Sequence, residues 1–189
     1  IAQWHAIQIL ELSDTDDAMR MAQVRDLLAG QGWWDLTQYR VNPAGGGVLM
    51  HWSRIVDAPI ALGIWLLKPL LGQALAEQVV MTIWPPLLGA ALSVACALGF
   101  RSLPDKRIAY VAPLYLVTAG FIVIQFRPLR VDHHGWQIFL AMLIMAQALR
   151  PASRQAGLIA GACGAALRAI SVEGLQRGAL LAGRCALRW

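Results

Sequence analysis

The sequence predicts an all-α protein: a polytopic transmembrane helical bundle with a large first extracytoplasmic loop that contains an amphipathic helix. Three observations predict it. Only 14% of the 189 residues are charged while 58% are hydrophobic, and a water-soluble domain is usually about one quarter charged. Residues 78–100 and 108–126 are apolar runs without a single charged side chain, and about 20 residues at about 1.5 Å rise each cross a bilayer. Residues 11–57 differ in kind, holding six of the eight aspartates together with Trp33, Trp34 and Trp52.

Taken in order, residues 1–10, IAQWHAIQIL, read as the end of a truncated first transmembrane helix. No charged region precedes a short apolar core at the start, so no signal peptide is expected. The chain opens on Ile1 and stops on ALRW, and reads as a piece of a longer protein. Residues 11–57 form the periplasmic loop. Within it Asp14 to Asp17 can cap a helix that runs to about Ala29, where Gly30 and Gly32 end it. NPAGGG at 42–47 is a loop.

Residues 58–189 make up the transmembrane region. The stretch 59–72 is short, and either lies in the interface or extends the following helix. Pro85 and Pro86 kink the span at 78–100, which transmembrane helices tolerate when neighbours satisfy the freed carbonyls. Residues 136–149 are apolar but short, and cross only by starting near Asp132-His133-His134. Residues 156–172 are rich in small side chains that allow close helix contact, with Arg168 a costly inclusion. From Glu173 onward, Arg177, Arg184 and Arg188 fall on one helical face, as in a basic amphipathic helix at a membrane surface. Cys96, Cys163 and Cys185 lie in apolar stretches without CxxC spacing and read as packing residues.

Span counting gives sidedness. If 78–100, 108–126 and 136–149 each cross, the short basic loops 101–107 and 150–155 share one side, as cytoplasmic loops do. The acidic block 11–57, the DHH triplet and Glu173 share the other, although Arg127 and Arg130 weaken the charge contrast. The net charge of +5 comes from arginines scattered through apolar sequence. That distribution argues against a nucleic-acid-binding patch.

The two polar clusters carry the chemistry. Carboxylates with neutral imidazole bind divalent cations, oxygen-rich sets favouring Mg²⁺ or Mn²⁺. Asp132 and His134 stand two apart and can reach one ion. Asp132 can equally be a helix N-cap, His133 a hydrogen-bonding or interfacial residue, and SDTDD a capped, solvated helix start. His51 and Arg54 suit an anionic phosphate; the alternative is an aromatic interface belt around Trp33, Trp34 and Trp52.

Three segments together, DTDDAMRMAQVRDLLAGQGWWD, QYRVNPAGGGVLMHWSRIVDAP and RVDHHGWQ, resemble the GT-C superfamily of polytopic glycosyltransferases. The nearest likeness is to bacterial membrane proteins related to the catalytic subunit of oligosaccharyltransferase, and it covers most of residues 10–140. The resemblance implies a bacterial inner-membrane enzyme with a periplasmic active face. Such an enzyme transfers a sugar or glycan from an undecaprenyl-phosphate or other polyprenyl-phosphate donor to an acceptor the sequence does not name. It implies a catalytic acid at Asp16, nine positions ahead of Arg25-Asp26, with Asp14 and Asp17 in neighbouring registers. It also implies a D-x-H motif at Asp132 and His134 that binds a divalent metal with Asp16, with Arg54 and His51 near the donor phosphate. Glu173 would be a further acid, and His133 an accessory to the motif. The rival reading is a non-enzymatic membrane protein, such as a metal or ion transporter or an accessory scaffold; another is an inactive truncated fragment. Transporters place ionisable residues near the bilayer midplane, whereas most acids here lie in extramembrane segments.

Overall fold

The computed structural model describes residues 2–12 and 14–170. The chain is predominantly helical, with eight α-helices among the described residues. It divides into two compact units: Ile1–Trp84 with Pro128–Asp132, and Pro85–Arg127 with the residues from His133 onward.

The first unit begins with α1 (Ala2–Ile9) and α2 (Thr15–Leu28). Asp14 has extended backbone angles and its carboxylate accepts from the Asp16 amide at 2.9 Å, which satisfies one of the donors every helix leaves orphaned at its start. At the other end Gly30 adopts φ +102, a conformation that stops the helix and that a side chain would strain. Both boundaries agree with the sequence. A short hairpin follows, β1 (Thr37–Gln38) antiparallel to β2 (Val48–Leu49), with the Asn42–Gly47 loop between them. This hairpin is a small addition to the all-α expectation.

α3 (Arg54–Leu71) starts at Ser53, whose hydroxyl accepts from the Ile55 amide. The helix occupies the 59–72 stretch and begins earlier, and Gly72 at φ +78 separates it from α4 (Gln73–Phe100). Val56, Ile60 and Ile64 recur at four-residue spacing and are fully buried. They pack with Met21 and Val24 of α2, Ala76, Val80 and Met81 of α4, and Leu129 and Val131. Each fully buried aliphatic side chain of this kind contributes about 1.5–3 kcal/mol relative to exposure.

Pro85 explains how the 128–132 segment joins this unit. Proline has no N–H, so the carbonyl four residues back, that of Met81, loses its helical donor. The Leu129 amide takes that place, donating to the Met81 oxygen at 2.9 Å, with Leu129 held at φ +72. α1 is tied in by Gln78, which donates to the Ile7 carbonyl at 2.8 Å, and by Gln3, which donates to the Pro128 carbonyl at 3.3 Å.

In the second unit the rest of α4 is accompanied by α5 (Ile108–Thr118), α6 (Gly120–Ile124), α7 (His134–Ala148) and α8 (Arg154–Ile170). The 108–126 run, expected to be one helix, is two. Ala119 leaves the helical region at ψ 86, and the ladder restarts with Ile122 and Val123 bonding back to its carbonyl. α5 alone rises about 16 Å, short of a hydrocarbon core of about 30 Å. α7 begins at His134 and ends at Ala148; its 15 residues rise about 22 Å, short of a hydrocarbon core of about 30 Å. Gly99 of α4 lies against Ala146 of α7, so closely that a Cβ there would be 2.7 Å from the Ala146 Cβ. Among the described residues, α4 is the helix long and apolar enough to cross a membrane by length and composition. The expected basic tail with Glu173, Arg177, Arg184 and Arg188, and Cys185 with it, lies outside the described residues.

Candidate functional site

The polar side chains of the first unit gather in two places. The first is a buried hub between α2 and α3. Arg20, 0% exposed, bonds Asp57 Oδ1 at 2.7 Å through Nη1. Arg54 Nη1 meets Asp57 Oδ2 at 3.3 Å and the Gln23 carbonyl at 2.8 Å. Arg54 Nη2 donates to Gln31 Oε1 and to the Asp35 carbonyl, at 2.7 and 2.8 Å. Two guanidiniums share one carboxylate. The remaining positive charge is spread over backbone carbonyls and the face of Trp52, which lies 4.8 Å from Arg20 Cζ. Arg54, expected near a donor phosphate, is therefore committed to holding the loop onto the two helices. Trp52, expected in an interface belt, is buried, while Trp34 is 89% exposed.

The second place joins the acidic start of α2 to the segment 114 residues further along. Arg130 is its centre. Nη1 reaches Asp14 Oδ2 at 2.5 Å and Asp17 Oδ2 at 3.1 Å, and Nη2 reaches Asp132 Oδ2 at 2.6 Å. Asp17 Oδ1 accepts the amides of Val131 and Asp132 at 2.8 and 3.0 Å. The arrangement follows from the helix: with Asp14 as N-cap, Asp17 lies three residues on and faces the same way. Asp16, one residue from Asp17, is turned about 100° away. The structure thus separates three carboxylates that the sequence left as alternative registers.

Electrostatics follow the packing. Asp14 is held below the ordinary aspartate range, first by the Asp16 amide and then by Arg130. Asp17, 2% exposed, is pushed up to about 6 because burial outweighs its hydrogen bonds and the Arg130 charge, with Asp132 adding repulsion. Burial would lower Arg130, but its bond to Asp14 and the charges of Asp132 and Asp17 raise it on balance. Among the described residues the Asp16 side chain makes no ion pair, and the residue is half-buried.

The other expected residues are placed as follows. His51 is exposed and edge-on to Trp52. His133 and His134 belong to the second unit, where their rings stack at 4.4 Å and His133 precedes α7 as its cap position. Arg25 pairs with Glu77 at 2.7 Å, and Asp26 with Arg40 at 2.6 Å, so both hold the outer face of α2. Sequence reasoning missed Arg130, Arg20 and Asp57. Arg130 stood in the quoted RVDHH segment, and Asp57 three residues after Arg54 is a helical pair spacing.

A divalent ion has been expected from Asp16, Asp132 and His134. Among the described residues no group of three or more His, Cys, Asp or Glu side chains is placed to hold one. The carboxylates that do converge are Asp14, Asp17 and Asp132, and they close around a guanidinium; as packed, that donor set does not fit a divalent ion. Comparison with protein-family models, with curated proteins and with solved structures finds no match to this chain.

Proposed function

We propose that the chain belongs to a polytopic GT-C-type glycosyltransferase of a bacterial inner membrane. It would transfer a sugar from a polyprenyl-phosphate-linked donor to an acceptor on the periplasmic side. The observation that supports this reading most is the ionic cluster. The acidic opening of α2 and the Arg130–Asp132 segment meet in one place, as an extracytoplasmic site built from two loops of the chain requires. The length and apolarity of α4 support a membrane setting.

In this reading Asp16 is the base. Its carboxylate is the one at the start of α2 that is not spent on Arg130, so it can take a proton from an acceptor hydroxyl. The acceptor oxygen then bonds to the anomeric carbon, the bond from that carbon to the phosphate oxygen breaks, and the electron pair leaves with the polyprenyl phosphate. Asp14, Asp17 and Arg130 hold the base at a fixed distance from Asp132. His51, exposed before α3, is a side chain within this loop that can meet the donor phosphate.

The test is transfer of radiolabelled sugar from a polyprenyl-phosphate donor in proteoliposomes. Asp16→Asn is expected to slow transfer about 10²- to 10⁴-fold, with unchanged folding because Asp16 makes no ion pair among the described residues. Full transfer by both Asp16→Asn and Asp132→Asn would sink the reading, and cation flux without transfer would replace it with a transporter.

A further inference from the structure

We infer that Arg130 occupies the position of a cation cofactor, so that the carboxylate cluster of Asp14, Asp17 and Asp132 works without a divalent metal. The inference rests on the atoms of the cluster and not on the transferase reading.

The carboxylate oxygens are already engaged by N–H donors. Asp14 Oδ1 accepts the Asp16 amide and its Oδ2 meets Arg130 Nη1. Asp17 Oδ1 accepts two backbone amides and its Oδ2 meets the same Nη1. Asp132 Oδ2 meets Nη2. A Mg²⁺ ion needs about six oxygens at about 2.1 Å in octahedral array. An ion bridging Asp14 Oδ2 and Asp17 Oδ2 would have to stand where Nη1 now stands. Displacing Arg130, 10% exposed, would strip three ion pairs from a largely buried guanidinium. The planar fork of arginine suits several carboxylates at once, which a compact ion does by a different geometry.

The experiment is thermal unfolding of the detergent-solubilised chain, titrated with MgCl₂ or MnCl₂ after EDTA treatment. A ligand bound by the folded state raises the melting temperature with saturable dependence on its concentration. For the wild type, EDTA and either ion are expected to leave the melting temperature unchanged within about 1 °C. Arg130→Gln removes the guanidinium, frees the same oxygens, and is expected to gain a saturable stabilisation of several degrees by Mn²⁺. Arg130→Lys, which retains a positive charge, should show no such gain.

A saturable stabilisation of the wild type by Mg²⁺ or Mn²⁺ would overturn the inference. So would a folded Arg130→Gln protein that Mn²⁺ does not stabilise. If Arg130→Gln fails to fold, the wild-type titration decides alone, and recovery of that variant by Mn²⁺ would count in favour. Sugar transfer that stops in EDTA and resumes with Mg²⁺ would also overturn it, while leaving the transferase reading intact.

Discussion

Acidification should strengthen the first unit through Asp17. Burial in the fold pushes its carboxyl up to about 6, against 3.8 for an exposed aspartate. The group therefore binds its proton more tightly folded than unfolded, and between those values the folded state carries more protons. Stability from this residue rises as the pH falls through about 6 and levels off below about 3.8. Between about pH 7.5 and about pH 5, the linkage expression gives a tenfold change in the folding constant, or about 1.4 kcal/mol. Asp14 and Asp26 act in the opposite sense, but both are held below the ordinary range and lose their contribution only at lower pH. Asp17→Asn retains the size of the side chain and an oxygen for the Val131 and Asp132 amides, but cannot titrate. Chemical unfolding of both proteins in mild detergent, followed by circular dichroism at the two pH values, isolates the effect. The wild type should gain about 1.4 kcal/mol on the variant upon acidification. A constant difference would refute the reasoning. A difference of opposite sign would show that the hydrogen bonds to the ionised carboxylate outweigh its burial.

Asp57→Ala leaves Arg20 and Arg54 buried without their shared carboxylate and should cost about 3–5 kcal/mol in chemical unfolding. Gly99→Ala puts a methyl 2.7 Å from the Ala146 Cβ and 2.9 Å from its Cα and should cost about 1–3 kcal/mol; adding Ala146→Gly should restore only part of the melting temperature, because the Cα stays in the way. Gly47→Ala combines φ +92 with a Cβ only 2.7 Å from Thr37 Cγ2. It should destabilise the hairpin more than Gly46→Ala, where φ is +83 but the space is open. Hydrogen exchange at the Met50 amide, which donates across the hairpin to the Leu36 carbonyl at 3.1 Å, would report the difference.

The extent of α2 was readable because its ends are made by local chemistry: an aspartate before the helix and a glycine after it, each acting within a few residues. The break at Ala119 was not, since an apolar run carries no polar punctuation and Pro113 and Gly120 are both common in membrane helices. At the site, the sequence led to the expectation that Asp14–Asp17 and Asp132 share one face but could not say which carboxylate would be tied down. That choice depends on helical phase, which the N-cap at Asp14 sets. The sequence could not place Arg54, because an arginine beside histidine and tryptophan looks the same whether it faces a ligand or an aspartate one turn away. Arg130 was passed over because two of its three carboxylate partners, Asp14 and Asp17, lie more than 110 residues earlier, and no local pattern links them.

The proline at position 85 acts at a distance through an oxygen it leaves vacant. An unbroken helix would consume the Met81 carbonyl internally and present nothing to the rest of the chain. By withholding one hydrogen, Pro85 writes an address into the backbone, and the Leu129 amide reads it 44 residues later. The register of Arg130 and Asp132 against α2 is thus encoded partly in the main chain, where no side-chain scan would find it. Pro85→Ala would let the helix reclaim its own oxygen and turn a fixed attachment into a competition. In that variant the Leu129 amide should exchange faster with solvent, and Arg130 should lose its hold on Asp17 without any charged residue having been touched.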